Sequence, residues 1–103
     1  MEITVKGVIT DILPRQDKTD REGKPYSTQE IAVETIGEKY KRTVAFTVLS
    51  TESRPRLKDF AQYLVTGNTV FASCYVNSRR SSDGTRYFTE LNCYAMGFHH
   101  PQQ

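Results

Sequence analysis

Hydrophobic and polar positions alternate along most of the chain, in strand-length pieces separated by turn residues. Residues 2–13 are rich in β-branched side chains and have Gly7 at their centre, which predicts a strand with a bulge or sharp coil at the glycine. Residues 14–25 are almost entirely polar and include two prolines and a glycine, which predicts a long, mobile loop. The first predicted elements are therefore a β-strand and a polar connection.

The next alternating pieces, residues 26–36 and 42–49, predict two more strands joined by a charged turn. Within 26–36, the face expected to lie against the core is made by Gln29, Ile31, Val33 and Thr35. The opposite face is more polar and carries Thr28, Glu30, Ala32 and Glu34. In 42–49 the buried face is marked by Val44, Phe46 and Val48.

Residues 50–67 break the alternation. Their apolar positions recur at helical spacing, at Leu57, Phe60, Ala61 and Leu64. Pro55 suits the first turn of a helix, and Gly67 suits the position just beyond its end. We therefore predict a short helix near 54–65.

Two final strands are predicted over residues 69–79 and 86–98, with Asp83–Gly84 as a preferred pair for a type I′ turn. The order strand, strand, strand, helix, strand, strand predicts an all-β fold with one short helix, the five-stranded Greek-key barrel of the OB-fold. The 103-residue length predicts a single domain over 1–98 with a short tail at 99–103. An SH3-like barrel and a small α+β sheet are the alternatives, and the position of the helix favours the OB-fold.

Placing Asp83–Gly84 at the centre of the turn assigns a partner to each residue of the final hairpin. One face is then small and apolar, with the pairs Cys74–Cys93, Val76–Leu91, Ala72–Ala95 and Val70–Gly97. The other face is bulky, with the pairs Phe71–Met96, Ser73–Tyr94, Tyr75–Asn92, Asn77–Glu90 and Arg79–Phe88. Because a tight barrel interior requires small side chains, we expect the first face to point inward. The two cysteines would then be buried thiols, and a disulfide between them is the alternative.

A large aromatic surface would consequently lie outside the barrel, on Phe71, Tyr75, Phe88 and Tyr94 together with Met96. Exposed apolar patches commonly mark a binding site or a subunit contact. Bases of single-stranded nucleic acid stack on aromatic rings almost regardless of their identity. Two interpretations remain open: a base-stacking surface, or a surface covered by a second subunit or by the C-terminal tail.

The charge balance is slightly basic, with 14 Lys and Arg against 12 Asp and Glu and a formal net charge of +2. Basic residues in loops and at strand ends are the candidates for phosphate contacts: Arg79, Arg80, Arg86, Lys41 and Arg42. Glu30 and Glu34 count against such contacts, because they should point outward on the strand that usually lines the groove of this fold. We expect Lys6, on the first strand, to help neutralise them.

The motifs of common enzymes and metal sites are absent from the sequence. Cys74 and Cys93 are the only cysteines and form no CxxC pair, and the only histidines are His99 and His100. There is no GxGxxG, Walker loop, GxSxG or HExxH motif. We predict no enzymatic activity, no cofactor and no metal. With no long apolar run and no signal-peptide pattern, we also expect a cytoplasmic protein without a membrane partner.

Several short motifs resemble a family of small, largely uncharacterised bacterial OB-fold proteins, over residues 1–98. They are Met1–Thr4 with Gly7, Gln29–Glu30, Glu34–Thr35, Val44–Phe46, Ser78–Arg79, Gly84 and Tyr87–Leu91. That family is similar to single-stranded-DNA-binding proteins and primosomal OB domains. The resemblance implies nucleic-acid binding on a barrel face, often by a dimer or tetramer. The chain has no tryptophan and ends in FHHPQQ in place of a long acidic tail, which favours an accessory role, of plasmid or phage type.

The sequence thus favours a module of low sequence specificity that binds single-stranded DNA or RNA, with an accessory role in DNA replication, recombination or repair. Bases would stack on the four outward rings, and the basic residues would hold phosphates. The alternative is a homo-oligomeric protein–protein interaction module, a homodimer or homotetramer with little nucleic-acid binding. In it, Phe71, Tyr75 and Met96 would be buried between subunits.

Overall fold

The computed structural model describes residues 1–99, so the tail predicted at 99–103 lies outside the described residues except for His99. Within that range the chain forms six strands and one short helix. In chain order they are β1 (Glu2–Ile12), β2 (Gln16–Thr19), β3 (Pro25–Thr35), β4 (Thr43–Thr51), α1 (Arg56–Asp59), β5 (Thr69–Arg80) and β6 (Tyr87–Phe98). No helix among the described residues is both long and apolar enough to cross a membrane.

The strands form one sheet that closes on itself into a barrel. Its order is β1-β5-β6-β4-β3-β2, and β1 also pairs with β3. All pairings are antiparallel except that between β4 and β6, which is parallel. The predicted OB-fold is confirmed, with the helix between the strands β4 and β5.

The polar connection 14–25 differs from the prediction, because most of it is a hairpin and not a mobile loop. Its strand β2 pairs with the beginning of β3. The Asp20 carboxylate accepts hydrogen bonds from the backbone N–H groups of Glu22 (2.9 Å) and Lys24 (2.8 Å), and Gly23 has a φ of 82°. Such side-chain bonds to the backbone stabilise a tight turn without any apolar residue.

The helix is shorter than the predicted 54–65. Only four residues are α-helical, and Pro55 before them provides no side-chain hydrogen bond to cap the helix. Helix formation is costly to nucleate, so a helix without a cap ends early and continues as turns. The apolar spacing is nevertheless correct at three of its four positions, because Leu57 and Phe60 are buried and Leu64 packs against the core, whereas Ala61 is exposed.

Alternate residues of the strands form the core. The most completely buried side chains are Phe46, Ile9, Ile31, Val33, Val48, Val70, Cys74 and Cys93. This confirms the inward faces predicted for β3 and β4. Cys74 and Cys93 face each other as free thiols, and each donates to a backbone carbonyl, of Ala72 and Ala95 respectively. The adjacent Cys74 thiol, together with burial, raises the pKa of Cys93.

The glycine of β1 is required for a close approach and not for a bulge. Gly7 pairs with Val70 on β5 and with Thr35 on β3, so it lies where the barrel closes. A Cβ atom there would contact the backbone carbonyl of Glu34. The irregularity predicted at Gly7 occurs further along β1, between Ile9 and Asp11.

The predicted pairing of the final hairpin is correct from Cys74–Cys93 to Arg80–Tyr87. The turn itself is different: the N–H of Gly84 donates to the carbonyl of Ser81 at 3.0 Å, and Gly84 has a φ of 74°. Among the described residues only glycines have positive φ, so a type I′ turn at Asp83–Gly84 is wrong. The pairing survives because the observed loop is symmetric about the same two residues, with Ser81 N–H bonded to the Arg86 carbonyl at 2.8 Å.

Beyond Cys93 the predicted pairing is wrong by one residue. A bulge at Tyr94 makes Ser73 the partner of Ala95 and Ala72 the partner of Met96. Met96 consequently points inward and is buried, whereas it was expected outside. Gly97 correspondingly faces outward beside Phe71, and not inward opposite Val70 as predicted. An extra residue in one strand exchanges the two faces for all later positions.

Candidate nucleic-acid interface

A groove of about 490 Å³ lies on the outer surface of the barrel. We call its two borders the first arm, the β2–β3 hairpin, and the second arm, the β5–β6 hairpin. The side chains that line the groove include Gln16, Lys18, Tyr26, Glu30, Thr47, Leu49, Arg79, Glu90 and Asn92. OB-folds bind oligonucleotides on this face of the barrel, between the corresponding loops.

A polar network links the two strands of the first arm. Arg15 Nε lies 2.9 Å from Asp17 Oδ1, and Arg15 Nη2 donates to Ser27 Oγ at 2.8 Å. Ser27 Oγ in turn donates to Asp17 at 2.6 Å. The hydrogen bond from Ser27 is the main cause that lowers the pKa of Asp17, and the hydrogen bond from Arg15 is the second. Arg15 is thus engaged within the arm, whereas Lys18 reaches the groove.

The second arm presents a basic and an aromatic group beside the groove. Arg79 forms an ion pair with Glu90 at 3.1 Å. The guanidinium of Arg86 lies 4.6 Å from the centre of the Phe88 ring, within range of a cation–π interaction. Because Phe88 is 41% exposed, this pair offers a planar surface and a positive charge to a ligand.

The loop of the second arm is ordered by Asp83. Its carboxylate accepts hydrogen bonds from the hydroxyls of Ser81 (2.6 Å) and Thr85 (2.7 Å) and from the Thr85 N–H (3.0 Å). These bonds lower the pKa of Asp83 to about 2. Arg80 donates two hydrogen bonds to the Gly84 carbonyl, so its guanidinium supports the loop.

Two tyrosines form the main aromatic surface on the outer face of β5 and β6. The rings of Tyr75 and Tyr94 are stacked, with centroids 4.4 Å apart and planes inclined by 29°. Tyr75 is 48% exposed. Partial removal from water is the largest cause that raises the pKa of Tyr94, and the nearby Glu2 carboxylate is the second. Both keep the Tyr94 phenol neutral. The Phe71 ring lies over Gly97, where it would be only 2.7 Å from an added Cβ atom.

A lateral row of outward residues connects the groove to the stacked tyrosines. By strand pairing, Glu30 on β3 is beside Thr47 on β4, Thr47 is beside Asn92 on β6, and Asn92 is beside Tyr75 on β5. Neighbouring strands are about 4.8 Å apart, so the row crosses four strands without a gap. A ligand that crosses the strands therefore contacts polar side chains first and aromatic rings next.

The structure brings only part of the predicted site together. Phe71, Tyr75 and Tyr94 share one outer surface, and Arg79 lines the groove, with Arg80, Arg86 and Phe88 further along the same arm. The other three basic residues lie elsewhere: Lys6 is beside Phe71 on β1, and Lys41 and Arg42 are in the turn between β3 and β4. Lys6 was expected to help neutralise Glu30 and Glu34, but it forms no ion pair with either among residues 1–99, and Glu34 is paired with Lys41 at 3.4 Å.

Three further side chains line the groove that were not predicted as site residues: Lys18, Tyr26 and Leu49. Tyr26 and Leu49 lie on the outward faces of β3 and β4, so continuing the alternation to the strand ends would have found them. Lys18 lies in the segment that the sequence predicts as a loop, and only the pairing of β2 with β3 directs it to the groove. No group of three or more His, Cys, Asp or Glu side chains suited to a metal ion occurs among residues 1–99.

Residues 4–97 match a sequence family described as a domain of unknown function, DUF3127. No curated protein sequence is significantly similar to the chain.

Solved structures are similar in fold. The mitochondrial single-stranded DNA-binding protein Rim1 from S. cerevisiae shares 13% identity at a TM-score of 0.64, covering 95% of this chain and 94% of that chain. The second OB-fold domain of replication protein A from Methanococcus maripaludis shares 14% at a TM-score of 0.63, covering 100% and 88%. Plasmodium falciparum SSB in complex with ssDNA shares 15% at a TM-score of 0.56, covering 96% and 94%. At these identities, what is shared is the OB-fold.

Proposed function

The chain belongs to the DUF3127 family, and we propose that it binds single-stranded DNA or RNA, with low sequence specificity, across the groove and the neighbouring tyrosines. The observation that carries the proposal is the row that leads from the groove to the exposed stack of Tyr75 and Tyr94. Three solved structures of similar fold support the same function. Rim1 is a single-stranded-DNA-binding protein, the Plasmodium falciparum SSB is in complex with ssDNA, and the third is an OB-fold domain of replication protein A.

Sequence-tolerant binding of this kind combines aromatic stacking with phosphate contacts. The proposed stacking residues are Phe71, Tyr75, Phe88 and Tyr94. The proposed phosphate contacts are Arg79, Arg80, Arg86, Lys41 and Arg42, with Lys6 and the groove residue Lys18. Arg86 is the best placed of these, because its cation–π contact with Phe88 puts a charge directly beside a stacking surface.

The remaining parts of the proposal concern the biological setting. We expect an accessory role in DNA replication, recombination or repair, in the cytoplasm, by a protein without catalytic activity. A homodimer or homotetramer is the expected assembly, because OB-fold proteins of the resembling family are often oligomeric.

Fluorescence anisotropy with a labelled, mixed-sequence single-stranded oligonucleotide tests the proposal. We expect micromolar binding at low salt that weakens as salt rises, since Lys and Arg contacts release counterions from phosphates. Tyr75→Ala should weaken binding about tenfold, because base–aromatic stacking contributes about 1–3 kcal/mol per base. Tyr87→Ala is the matched control for stacking: Tyr87 is also an exposed tyrosine of the second arm, but it lies beside Arg80 on the face of the hairpin opposite to Tyr75, so its loss should leave the affinity within about twofold of the wild type. Absence of binding at micromolar protein in low salt would refute the proposal.

A second candidate function is a protein–protein interaction module. The charges in the groove favour it, because Glu30 and Glu90 balance Lys18 and Arg79 and leave no net positive charge to attract phosphates. This function predicts a sedimentation mass near twice 11.8 kDa, monomers after Tyr75→Asp, and little oligonucleotide binding at any salt concentration.

A further inference from the structure

We infer that the groove discriminates between bases, binding cytosine more tightly than thymine or uracil, and that Glu30 is the residue responsible. The inference rests on the proposed function and refines it: stacking tolerates every base, and Glu30 adds a moderate preference on top of it. It follows from the chemistry of one free carboxylate and of its neighbours in the row across the strands.

Glu30 differs from the other carboxylates near the groove. Glu34, further along the outer face of β3, forms an ion pair with Lys41 at 3.4 Å. Glu90 forms an ion pair with Arg79 at 3.1 Å. The Glu30 carboxylate lines the groove and has no ion-pair or hydrogen-bond partner among residues 1–99. It is therefore available to a ligand.

A free carboxylate on the groove floor determines which part of a nucleic acid lies there. Like charges repel, so a phosphate is disfavoured beside Glu30. The backbone is more favourably placed along the borders, where Lys18 lines the first arm and Arg86 belongs to the second. The bases then point toward the floor, where hydrogen bonds to their edges distinguish one base from another.

Glu30 and its neighbour Thr47 complement the part of the cytosine edge that differs from thymine. Glu30 is an acceptor only, and Thr47 on the adjacent strand can donate from its hydroxyl, with the Asn92 amide one strand further along the row. Cytosine presents an amino donor beside a ring-nitrogen acceptor. Thymine and uracil present a carbonyl oxygen in place of the amino group, so two acceptors would face each other at Glu30.

Anisotropy titrations with labelled homopolymers of deoxycytidine and thymidine, equal in length and measured at one salt concentration, test the inference. We expect the wild-type protein to bind the cytosine polymer about fivefold to tenfold more tightly, a moderate share of what base-edge contacts achieve. In Glu30→Gln the ratio should fall below about twofold, because a neutral amide can turn either its N–H₂ or its carbonyl to the base.

Glu34→Gln is the matched control, since it removes the same charge from the same face of β3 outside the groove. It should leave the ratio between the two polymers unchanged, whatever it does to both affinities. Equal binding of the two polymers by the wild type overturns the inference and leaves the proposed function standing, as does a ratio that persists in Glu30→Gln. Absence of binding to both polymers, and to the mixed-sequence strand, overturns the inference and the proposed function together.

Discussion

Gly7 lies at the closure of the barrel, where β1 pairs with β3 and their backbones approach closely. In Gly7→Ala the added Cβ would contact the carbonyl oxygen of Glu34 and would come within 3.0 Å of its carbonyl carbon and 3.2 Å of Val33 Cβ. The obstacle is backbone that belongs to a paired strand, so no side-chain rotation relieves it. Overpacking costs about 1–3 kcal/mol, and because here the strand itself must shift we expect about 3 kcal/mol.

Urea unfolding followed by far-UV circular dichroism measures this cost. With a denaturant dependence of about 1.5 kcal/mol per M, reasonable for a small domain, the midpoint of Gly7→Ala should lie about 2 M below that of the wild type. Gly37→Ala is the control: Gly37 has a φ of 76° but open space around its Cβ position, so only backbone strain of about 1 kcal/mol is expected. A midpoint for Gly7→Ala no lower than that for Gly37→Ala would refute the steric argument.

Two further predictions concern ionisable groups. The hydrogen bonds of Asp83 lower its pKa from 3.8 to about 2, so its support of the second arm is complete above pH 3.8 and is lost as the pH falls through about 2. An NMR titration of the Thr85 amide should therefore show a midpoint near pH 2 that disappears in Asp83→Asn, whereas a midpoint near 3.8 would contradict the role of these bonds. Cys74 and Cys93 are buried free thiols, so a thiol-reactive dye should label them only after denaturation, and rapid labelling of the native protein would show that the barrel opens.

The final hairpin shows how far local pattern can predict pairing. The alternation around Asp83–Gly84 predicted the partners from Cys74 to Arg80 correctly, although the turn has a different geometry. The bulge at Tyr94 has no signal in the sequence, because the residues on both sides continue an acceptable alternation. Because of this bulge, Met96 points into the core and is buried, opposite to the predicted direction.

The candidate site was also predicted only in part, because strand alternation gives the direction of a side chain but not its neighbours on other strands. The outward direction of Tyr75 and Tyr94 follows from strand alternation, and it is confirmed. The grouping of side chains into a groove depends on which strands become neighbours and on how the two arms fold over the barrel. Lys41 and Arg42 looked equivalent to Arg79 in the sequence, yet only Arg79 lines the groove.

The sequence by itself determined five of the six strands, all but β2, together with the faces that Ile31, Val33 and Phe46 bury and the OB-fold order of elements. These properties depend on alternation and turn chemistry, which act between residues close together in the chain. Only the tertiary structure decided that Gly7 is the closure point, that Met96 lies inside, and that Glu30 shares a row with Thr47 and Asn92. Those properties depend on contacts between strands far apart in sequence, where strand curvature and one extra residue set which side chains meet.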